Sequence, residues 1–295
     1  MTTDESRVAS KRRPLFLFSL TAAAVLALAP SVVRAQVTLG PTVQTFGVLA
    51  GSSVTNTGPS VVTGNVGVSP GLAIVGFPPG AATGTIQSGG ATATLAQTEL
   101  TAAYNMATGA VCNTDLTGQN LGGLTLTPGV YCFATSAQLT GNLTLDFQGN
   151  PNASFLFQTG STLTTAPNSS VLAINAGGAG CLPNVNFQVG SSATLGTTTN
   201  FAGNILALTS ITLTTGANLR GRALARNGAV TLDANGAVGG CPAAASVPGG
   251  PIPPPGAGAG AGLAIPTLQE WTLLLLGLML AGLGGWQVRR KAIAR

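Results

Sequence analysis

Histidine is absent from this chain, and charged residues are scarce. None of the 295 residues is histidine, and only 6% are Asp, Glu, Lys or Arg. The lack of histidine excludes Ser-His-Asp and Cys-His catalysis and histidine-ligated metal sites. Residues 36–242 contain four acidic residues and no lysine. Polysaccharide lyases and hydrolases built on a β-helix need clustered acids with basic partners or calcium, so the sequence predicts no enzyme, no metal and no cofactor.

The basic character of the chain lies at its two ends. Residues 1–35 hold five basic and two acidic side chains, and residues 243–295 hold four basic and one acidic. The stretch between them has three arginines against four acids, so the formal net charge of +5 does not describe it. This near-neutral stretch lacks the cluster of basic residues with which proteins bind nucleic acid, so we expect no nucleic-acid partner. Its length of about 200 residues is enough for one domain with a core.

The first 35 residues have the layout of a secretory signal peptide. Four basic residues precede an apolar run from Leu15 to Ala29, and the small residues Val33 and Ala35 stand just before Gln36. This order of a basic start, an apolar run and a small-residue cleavage site predicts export and removal of residues 1–35. A retained membrane anchor is the alternative, although the run is short for a bilayer span.

The C-terminal segment, residues 265–295, combines a short motif, an apolar run and a basic cluster. The apolar run lies between Trp271 and Trp286 and is followed by Arg-Arg-Lys. Aromatic residues at the membrane interface and basic residues on the cytoplasmic side predict an inner-membrane helix at about residues 272–286. The motif residues are Ile265, Pro266, Thr267, Leu268, Glu270 and Trp271.

This layout closely resembles the IPTL-CTERM sorting signal, a relative of the PEP-CTERM signals that exosortase-like transpeptidases handle in Gram-negative bacteria. The resemblance implies an exosortase-like sorting enzyme as a partner, transient anchoring in the inner membrane, and then display at the cell surface or release. A plain single-span anchor is the alternative. A spacer rich in Pro, Gly and Ala, residues 243–264, precedes the segment.

The chain has four cysteines, Cys112, Cys132, Cys181 and Cys241. An even number in an exported domain predicts two disulfides, and the lack of a CxxC motif argues against zinc. Three pairings are possible. Cys112–Cys132 with Cys181–Cys241 is favoured because each bond then joins neighbouring segments, and free buried thiols are the alternative.

A repeat of about 18 residues runs through the second half of the domain. Thr-Leu pairs recur at Thr194, Thr212 and Thr231. The repeat has no helical period, is rich in β-branched residues and carries Gly or Asn at its corners, so it predicts an all-β-dominated fold, a three-sided β-solenoid with three short strands per coil. Alternation along each strand places the leucines inside and the threonines outside.

Other Thr-Leu pairs fit the repeat less completely. They begin at Thr125, Thr144 and Thr162, again 18 or 19 residues apart. The face on which Thr125 and Thr144 lie stays open, and a different face from that of the later pairs is one alternative. A gap of 32 residues also separates Thr162 from Thr194.

One segment breaks the strand pattern. Between about residues 91 and 111, small apolar residues recur every three or four positions, which is the spacing of a helix stripe. The stripe consists of Ala93, Ala96, Leu100, Ala103, Ala107 and Ala110. Because alanine allows close approach to a sheet, we expect one long helix packed alongside the solenoid and interrupting the order of its coils.

Several long motifs closely resemble the bacterial and fungal ice-binding proteins. They include FGVLAGSSVTNTGPSVVTGNVGVSPG, LTPGVYCF, SFLFQTGSTLTTAPNSS, FQVGSSATLGTTTNFAGNILALTSITL and GRALARNGAVTLD. The resemblance covers essentially the whole domain, residues 36–242. It implies a three-sided β-solenoid with discontinuous coils and a helix packed alongside, and one flat face, rich in short polar residues, that binds ice.

Threonine suits a surface that binds ice. Its χ1 angle is stiff, and hydroxyls and methyls repeated about 4.8 Å apart between coils can match an uncharged, regular lattice. A charged side chain would instead keep its own hydration shell. The plain alternative is that threonine favours exposed strand positions. The candidate ice-binding residues are Thr162, Thr164, Thr165, Asn168, Thr194, Thr212, Thr214, Thr215, Asn218 and Thr231.

The sequence therefore supports two functions. The first is an exported, surface-displayed, antifreeze-like protein that inhibits ice growth or recrystallisation. The second is a structural component of the cell envelope or biofilm matrix that has the same fold and no ice activity, and the sorting segment motivates it. One further group, Arg220, Arg222, Arg226 and Asp233, is expected to form an ion-pair cluster at an edge, with a glycan contact as the alternative.

Overall fold

The computed structural model describes residues 36–177 and 182–240. The predicted signal peptide, spacer and sorting segment, including the helix at about residues 272–286, lie outside the described residues. Cys181 and Cys241 lie outside them as well, so their pairing stays a prediction.

The described chain consists of short strands, one long helix and one 3-10 turn, Val43–Thr45. The strands before the helix are β1 Phe46–Ala50, β2 Ser53–Thr57, β3 Val61–Thr63, β4 Asn65–Val68, β5 Ala73–Val75, β6 Ala81–Ala82 and β7 Ile86–Ser88. The helix α1 is Ala91–Thr108. The next strands are β8 Thr114–Asp115, β9 Thr125–Leu126, β10 Gly129–Phe133, β11 Ala137–Leu139, β12 Asn142–Asp146, β13 Phe155–Thr159, β14 Leu163–Thr165 and β15 Ser170–Ile174. The last are β16 Val185–Val189, β17 Ala193–Leu195, β18 Asn200–Ala202, β19 Asn204–Ala207, β20 Ile211–Leu213, β21 Asn218–Arg220, β22 Ala223–Ala225, β23 Val230–Asp233 and β24 Val238–Gly239.

These strands form three parallel sheets, and each complete coil gives one strand to sheet A, then one to sheet B, then one to sheet C. Sheet A has the order β7-β4-β1-β22-β19-β16-β13-β10-β8, sheet B has β11-β14-β17-β20-β23-β2-β5, and sheet C has β6-β3-β24-β21-β18-β15-β12-β9. The last coil, β22–β24, therefore stacks on the first coil, β1–β3. This confirms the predicted three-sided solenoid with discontinuous coils.

Inward-facing side chains from all three sheets fill the centre of the solenoid. The predicted core positions Leu195, Leu213 and Leu232 are fully buried. Tyr131, Phe157 and Phe187 stack from coil to coil, with ring centroids 5.4 and 4.4 Å apart. Such contacts add to the burial of apolar area, so the inward columns supply most of the stabilisation of the coils.

Helix α1 covers the outer face of sheet A. Its buried stripe, which includes Ala96 and Leu100, packs in one apolar cluster with Leu156, Leu206 and Leu224 of the sheet. The helix is three residues shorter than predicted because Gly109 caps it. The predicted Cys112–Cys132 disulfide is present and joins the chain just after α1 to β10.

Polar side chains also hold the helix. The amide of Gln158 on β13 donates to the carbonyl oxygen of Ala107 at 2.7 Å, and the amide of Gln188 on β16 donates to the hydroxyl of Tyr104 at 2.8 Å. The helix therefore covers the central strands of sheet A, whose end strands β7 and β8 are exposed. Sheets B and C have outer faces that the helix does not cover.

Candidate functional site

The exposed face of sheet B carries a row of threonines in register. One threonine from each of five neighbouring strands pairs with the next across the sheet. We call Thr164, Thr194, Thr212, Thr231 and Thr55, in this spatial order, the threonine row. Gln138 continues the row at one end and Val75 at the other. At about 4.8 Å per strand, the five hydroxyl and methyl pairs extend over roughly 19 Å.

A second row, on one side of the threonine row, is made of short side chains, most of which carry a hydroxyl. Its members lie two residues before each threonine of the row: Ser53, Thr162, Ser192 and Ser210 carry hydroxyls, and Ala229 interrupts them beside Thr231. Their hydroxyls bond to neighbouring coils: Thr162 donates to Ser136 at 2.9 Å, and the amide of Ala229 donates to Ser210 at 3.2 Å. These contacts restrict the side chains and leave few groups that could rearrange when a surface approaches.

The row on the other side contains Thr57, Asp233, Thr214 and Gly196. Thr57 pairs with Asp233 in the sheet, and the hydroxyl of Thr214 donates to the carbonyl oxygen of Leu195 at 2.8 Å. Asp233 accepts a short hydrogen bond from the hydroxyl of Thr215. Among the residues described in the three rows, Asp233 is the only charged one. The face is therefore almost free of charge and has one carboxylate near its edge.

Most of the predicted residues lie on or beside sheet B. Its strands contain Thr164, Thr194, Thr212 and Thr231, while Thr162 directly precedes β14 and Thr214 directly follows β20. Asn168, Thr215 and Asn218 lie at the corner between sheets B and C, where Asn168 has a left-handed backbone with φ +60° and Asn218 begins β21. They border the threonine face instead of continuing its rows.

Thr165 corrects the prediction. It is only 3% exposed and pairs with the buried Leu139, so it points into the solenoid and cannot meet an external surface. Its hydroxyl is satisfied internally by Thr199 at 2.8 Å and by the amide of Gly196 at 2.8 Å. The cause is alternation along β14: Leu163 and Thr165 face the interior, whereas Thr164 faces outward and joins the row opposite Thr194.

The corner between sheets B and C is held by a buried asparagine, Asn235. Its side-chain amide donates to the carbonyl oxygens of Thr214 at 3.0 Å and Ala217 at 2.8 Å, and its oxygen accepts from the amide of Asp233 at 2.8 Å. Its own backbone amide donates to the hydroxyl of Ser60 at 3.0 Å. One side chain thus fixes the backbone next to the threonine rows across two coils.

The expected ion-pair cluster does not form as one group. Asp233 lies on sheet B and Arg220 is exposed on sheet C. Arg226 lies 4.8 Å from the ring centre of Tyr104, a cation–π contact beneath the helix. Arg222 is buried at the corner between sheets C and A, and burial lowers its pKa to about 10, so it still carries its charge at neutral pH.

Sequence reasoning missed Thr55 and Thr57. Both are exposed on β2 and extend the face by one coil. The signal was the alternation in Ser-Val-Thr-Asn-Thr, where Val54 and Asn56 are buried. Because the first coil stacks on the last, Thr55 meets Thr231 although 175 residues lie between them in the sequence.

The described residues hold no group of three or more His, Cys, Asp or Glu side chains arranged to bind a metal ion. No helix within residues 36–177 and 182–240 is long and apolar enough to cross a membrane. The geometry offers a repetitive surface of short side chains instead of a convergent chemical site.

These features define a class of protein: a three-sided β-solenoid with discontinuous coils, one face covered by a helix and another lined by short hydroxyl side chains. The chain belongs to the Ice-binding-like family, whose model matches residues 48–238. The IPTL-CTERM motif matches residues 264–290, which confirms the second resemblance.

Similar proteins cover most of the domain. An ice-binding protein of Nostoc sp. (strain HG1) is 59% identical over 202 residues, which are 68% of this chain and 74% of the relative. The crystal structure of an ice-binding protein from an Antarctic biological consortium is 47% identical with a TM-score of 0.66, over 69% of this chain and 90% of that one. The ice-binding protein of the Antarctic ascomycete Antarctomyces psychrotrophicus is 38% identical with a TM-score of 0.65, over 69% and 97% of the two chains.

Proposed function

We propose that this chain is an exported protein that binds ice through the exposed face of sheet B and inhibits ice growth or recrystallisation. The observation that carries the proposal is the threonine row: five threonines from five neighbouring strands in register on a face with one charge. The relatives that are named ice-binding proteins support it. The role is non-enzymatic, because it needs a repeated surface and no reacting group.

The physical argument rests on spacing and on rigidity. Parallel strands set the row at about 4.8 Å, and alternate residues along a strand lie about 6.7 Å apart, so methyls and hydroxyls form a two-dimensional array. Threonine χ1 is restricted on a strand, which lowers the entropy lost on adsorption. Methyl groups can order the adjacent water while hydroxyls join its hydrogen bonds, so the face can hold an ice-like layer.

Export and surface display are part of the proposal. The signal-peptide layout of residues 1–35 and the IPTL-CTERM match support transport across the inner membrane and handling by an exosortase-like enzyme. We infer a Gram-negative host from the sorting motif. A structural role in the envelope or matrix without ice activity is the second candidate, because the sorting motif alone is compatible with either.

Thr212→Tyr tests the proposed face. Thr212 lies in the middle of the threonine row, between Thr194 and Thr231. A ring there separates the row from a lattice plane, so we expect the protein concentration needed to stop recrystallisation to rise at least about tenfold, a loss of roughly 1.4 kcal/mol. The measurement is ice-crystal coarsening in annealed sucrose films, with circular dichroism to check folding.

The matched control is Leu172→Tyr on the exposed face of sheet C, where the ring meets solvent at a residue already 44% exposed. We expect it to leave ice activity unchanged. Ordinary coarsening with the unaltered chain would remove the ice-binding proposal and favour the structural role. Equal losses in the two variants would show that sheet B is not the face.

A further inference from the structure

Gln36 directly follows the predicted signal peptide and is the first described residue. Val33 and Ala35 precede it in the sequence, and removal of residues 1–35 leaves glutamine as the first residue of the exported chain. Its α-amine and its side-chain amide then belong to the same residue, and attack of the amine on the amide carbon closes a lactam ring. Because this reaction is intramolecular, the local structure decides how readily it proceeds.

The structure keeps Gln36 accessible while the residues after it are packed. Gln36 is exposed, whereas Val37 and Leu39 are only 5% and 6% exposed and belong to the apolar cluster that includes helix α1. Within residues 36–177 and 182–240, the side-chain amide of Gln36 has one hydrogen bond, to the side-chain oxygen of Asn184 at 3.4 Å. A bond of this length is weak, so the side chain can turn towards the α-amine without losing a strong contact.

A positive charge lies next to Gln36. One small cavity of about 70 Å³ is lined by Gln36, Gln44, Asn184 and Arg222, among others, and none of the described residues that line it is acidic. The guanidinium of Arg222 is fixed there, because it donates to the carbonyl oxygen of Gln44 at 2.9 and 3.1 Å and to the side-chain oxygen of Asn204 at 3.1 Å. A neighbouring charge of the same sign disfavours an α-ammonium group and favours the uncharged amine, which is the nucleophile.

We propose that Gln36 is a modification site at which the exported chain closes its own N-terminus to pyroglutamate, helped by the guanidinium of Arg222. The α-amine nitrogen attacks Cδ of the side-chain amide and forms a C–N bond. The bond between Cδ and Nε2 breaks, and the amide nitrogen leaves as ammonia with the proton that the amine gives up. The step consumes no oxidant, cofactor or second substrate. It rests on the proposed export, because it needs the α-amine that removal of residues 1–35 creates.

The ring also protects a segment that holds the helix. The residues after Gln36 contribute Val37, Leu39 and Val43 to the apolar cluster of α1, and the backbone amide of Val43 donates to the carboxylate of Glu99 on α1 at 2.7 Å. A lactam has neither the charge nor the free amine of an ordinary N-terminus. It therefore places no second positive charge beside Arg222, and it blocks aminopeptidases that would remove the packed residues one after another.

The first test uses the full chain, produced with residues 1–35 in a Gram-negative expression host. Mass spectrometry of the N-terminal chymotryptic peptides gives the first residue and its chemical state. We expect exported chains that begin at residue 36 and are lighter by one ammonia, and a Gln36→Ala variant that keeps a free α-amine. Exported chains that keep an open Gln36 after prolonged incubation at neutral pH, or that begin at another residue, would overturn the modification and leave export standing. Chains that are not exported would overturn both proposals.

The second test isolates the contribution of Arg222. The chain from Gln36 to Arg295 is released from an N-terminal fusion at a defined time, and the loss of ammonia is followed at neutral pH. A synthetic peptide of residues 36–46 is the control, because it has the same N-terminus without the solenoid. We expect the folded chain to close at least about twofold faster than the peptide, and an Arg222→Met variant that stays folded by circular dichroism to close at the rate of the peptide. A folded chain that closes no faster than the peptide would overturn the role of Arg222.

Discussion

Sheets B and C belong to the same coils but present different surfaces. On sheet B, five outward positions in register are all threonine. On sheet C, Thr144 pairs with Leu172, and Ala202 pairs with Arg220, so the outward rows mix polar, apolar and charged residues. Leu172 and Ile174 are 44% and 43% exposed there. The same solenoid coils thus present a regular outer face on sheet B and an irregular outer face on sheet C.

The inward columns of the two sheets do not differ in this way. Leu213 and Leu232 behind sheet B, and Leu219 and Val238 behind sheet C, are all fully buried. Inward side chains are therefore packed equally tightly behind both sheets, and this packing does not explain why the outward residues of sheet B are threonines. A general preference of threonine for exposed strands would act equally on both faces. Because the uninterrupted row occurs on sheet B, it points to a use of that surface, and not to strand propensity.

The largest effect is expected at the corner that joins the two sheets. Replacing Asn235 by Ala leaves one buried carbonyl oxygen, one part-buried carbonyl oxygen and one part-buried amide without their partner, so we expect the free energy of unfolding to fall by about 2–4 kcal/mol. Thermal unfolding of the chain from Gln36 to Arg295 would show the midpoint falling by roughly 5–15 °C.

Asn200→Ala is the matched control on sheet C. Asn200 is exposed, and its oxygen accepts one long hydrogen bond, 3.3 Å, from Asn218. We expect a change within about 0.5 kcal/mol. A stable Asn235→Ala protein would mean that the corner is held by the strands on either side of it, and that the buried asparagine contributes little.

Part of the fold and of the threonine face could be predicted from the sequence. An 18-residue period and strand alternation were sufficient to predict the coils, the buried leucines and three members of the threonine row, because these depend on local spacing. The same Thr-Leu pattern occurs at Thr125 and Thr144, which lie on sheet C. The pattern therefore marks a strand that alternates, and it does not say which side of the solenoid the strand occupies.

Two further results depend on contacts between distant segments. Thr55 completes the row only because the first coil stacks on the last, and no local pattern encodes that stacking. Thr165 has a satisfied hydroxyl in the interior because a second hydroxyl, that of Thr199, lies opposite it. Alternation from the outward-facing Thr162 places Thr165 inside, as the structure does, so strand alternation was the sequence signal that excludes Thr165 from the candidate residues.

A smaller effect is expected from the single charge on sheet B. Asp233 lies between Thr214 and Thr57 in its row, where a carboxylate retains its own hydration shell. Asp233→Thr extends the uncharged array, and we expect recrystallisation to stop at a protein concentration about three- to fivefold lower, which corresponds to less than about 1 kcal/mol. The sucrose-film assay used for Thr212→Tyr measures it.

Asp146→Asn on sheet C removes a comparable carboxylate from the irregular face. Asn175 donates to Asp146 at 2.8 Å, and this bond lowers the pKa of that carboxyl, so the group is charged at neutral pH as well. We expect no change in ice activity. An equal gain in both variants would show that net charge, and not the composition of sheet B, controls adsorption.

The smallest effect is expected at Thr198, in the turn between the two sheets. Thr198 has φ +58°, a left-handed backbone that β-branched residues rarely adopt, whereas the corresponding turns one coil away have Asn168 and Gly216, at φ +60° and +70°. Its hydroxyl donates to the side-chain oxygen of Asn168 at 2.6 Å, and an asparagine amide could replace that donor. We expect Thr198→Asn to raise the free energy of unfolding by about 0.5–1 kcal/mol, measured by urea denaturation, without changing ice activity.

The neighbouring exposed Thr197, which lacks a positive φ, is the control, and Thr197→Asn should be neutral. Destabilisation by Thr198→Asn would show that the hydroxyl bond to Asn168 outweighs the backbone strain, and that the edge of the ordered face is fixed by side chains more than by turn conformation.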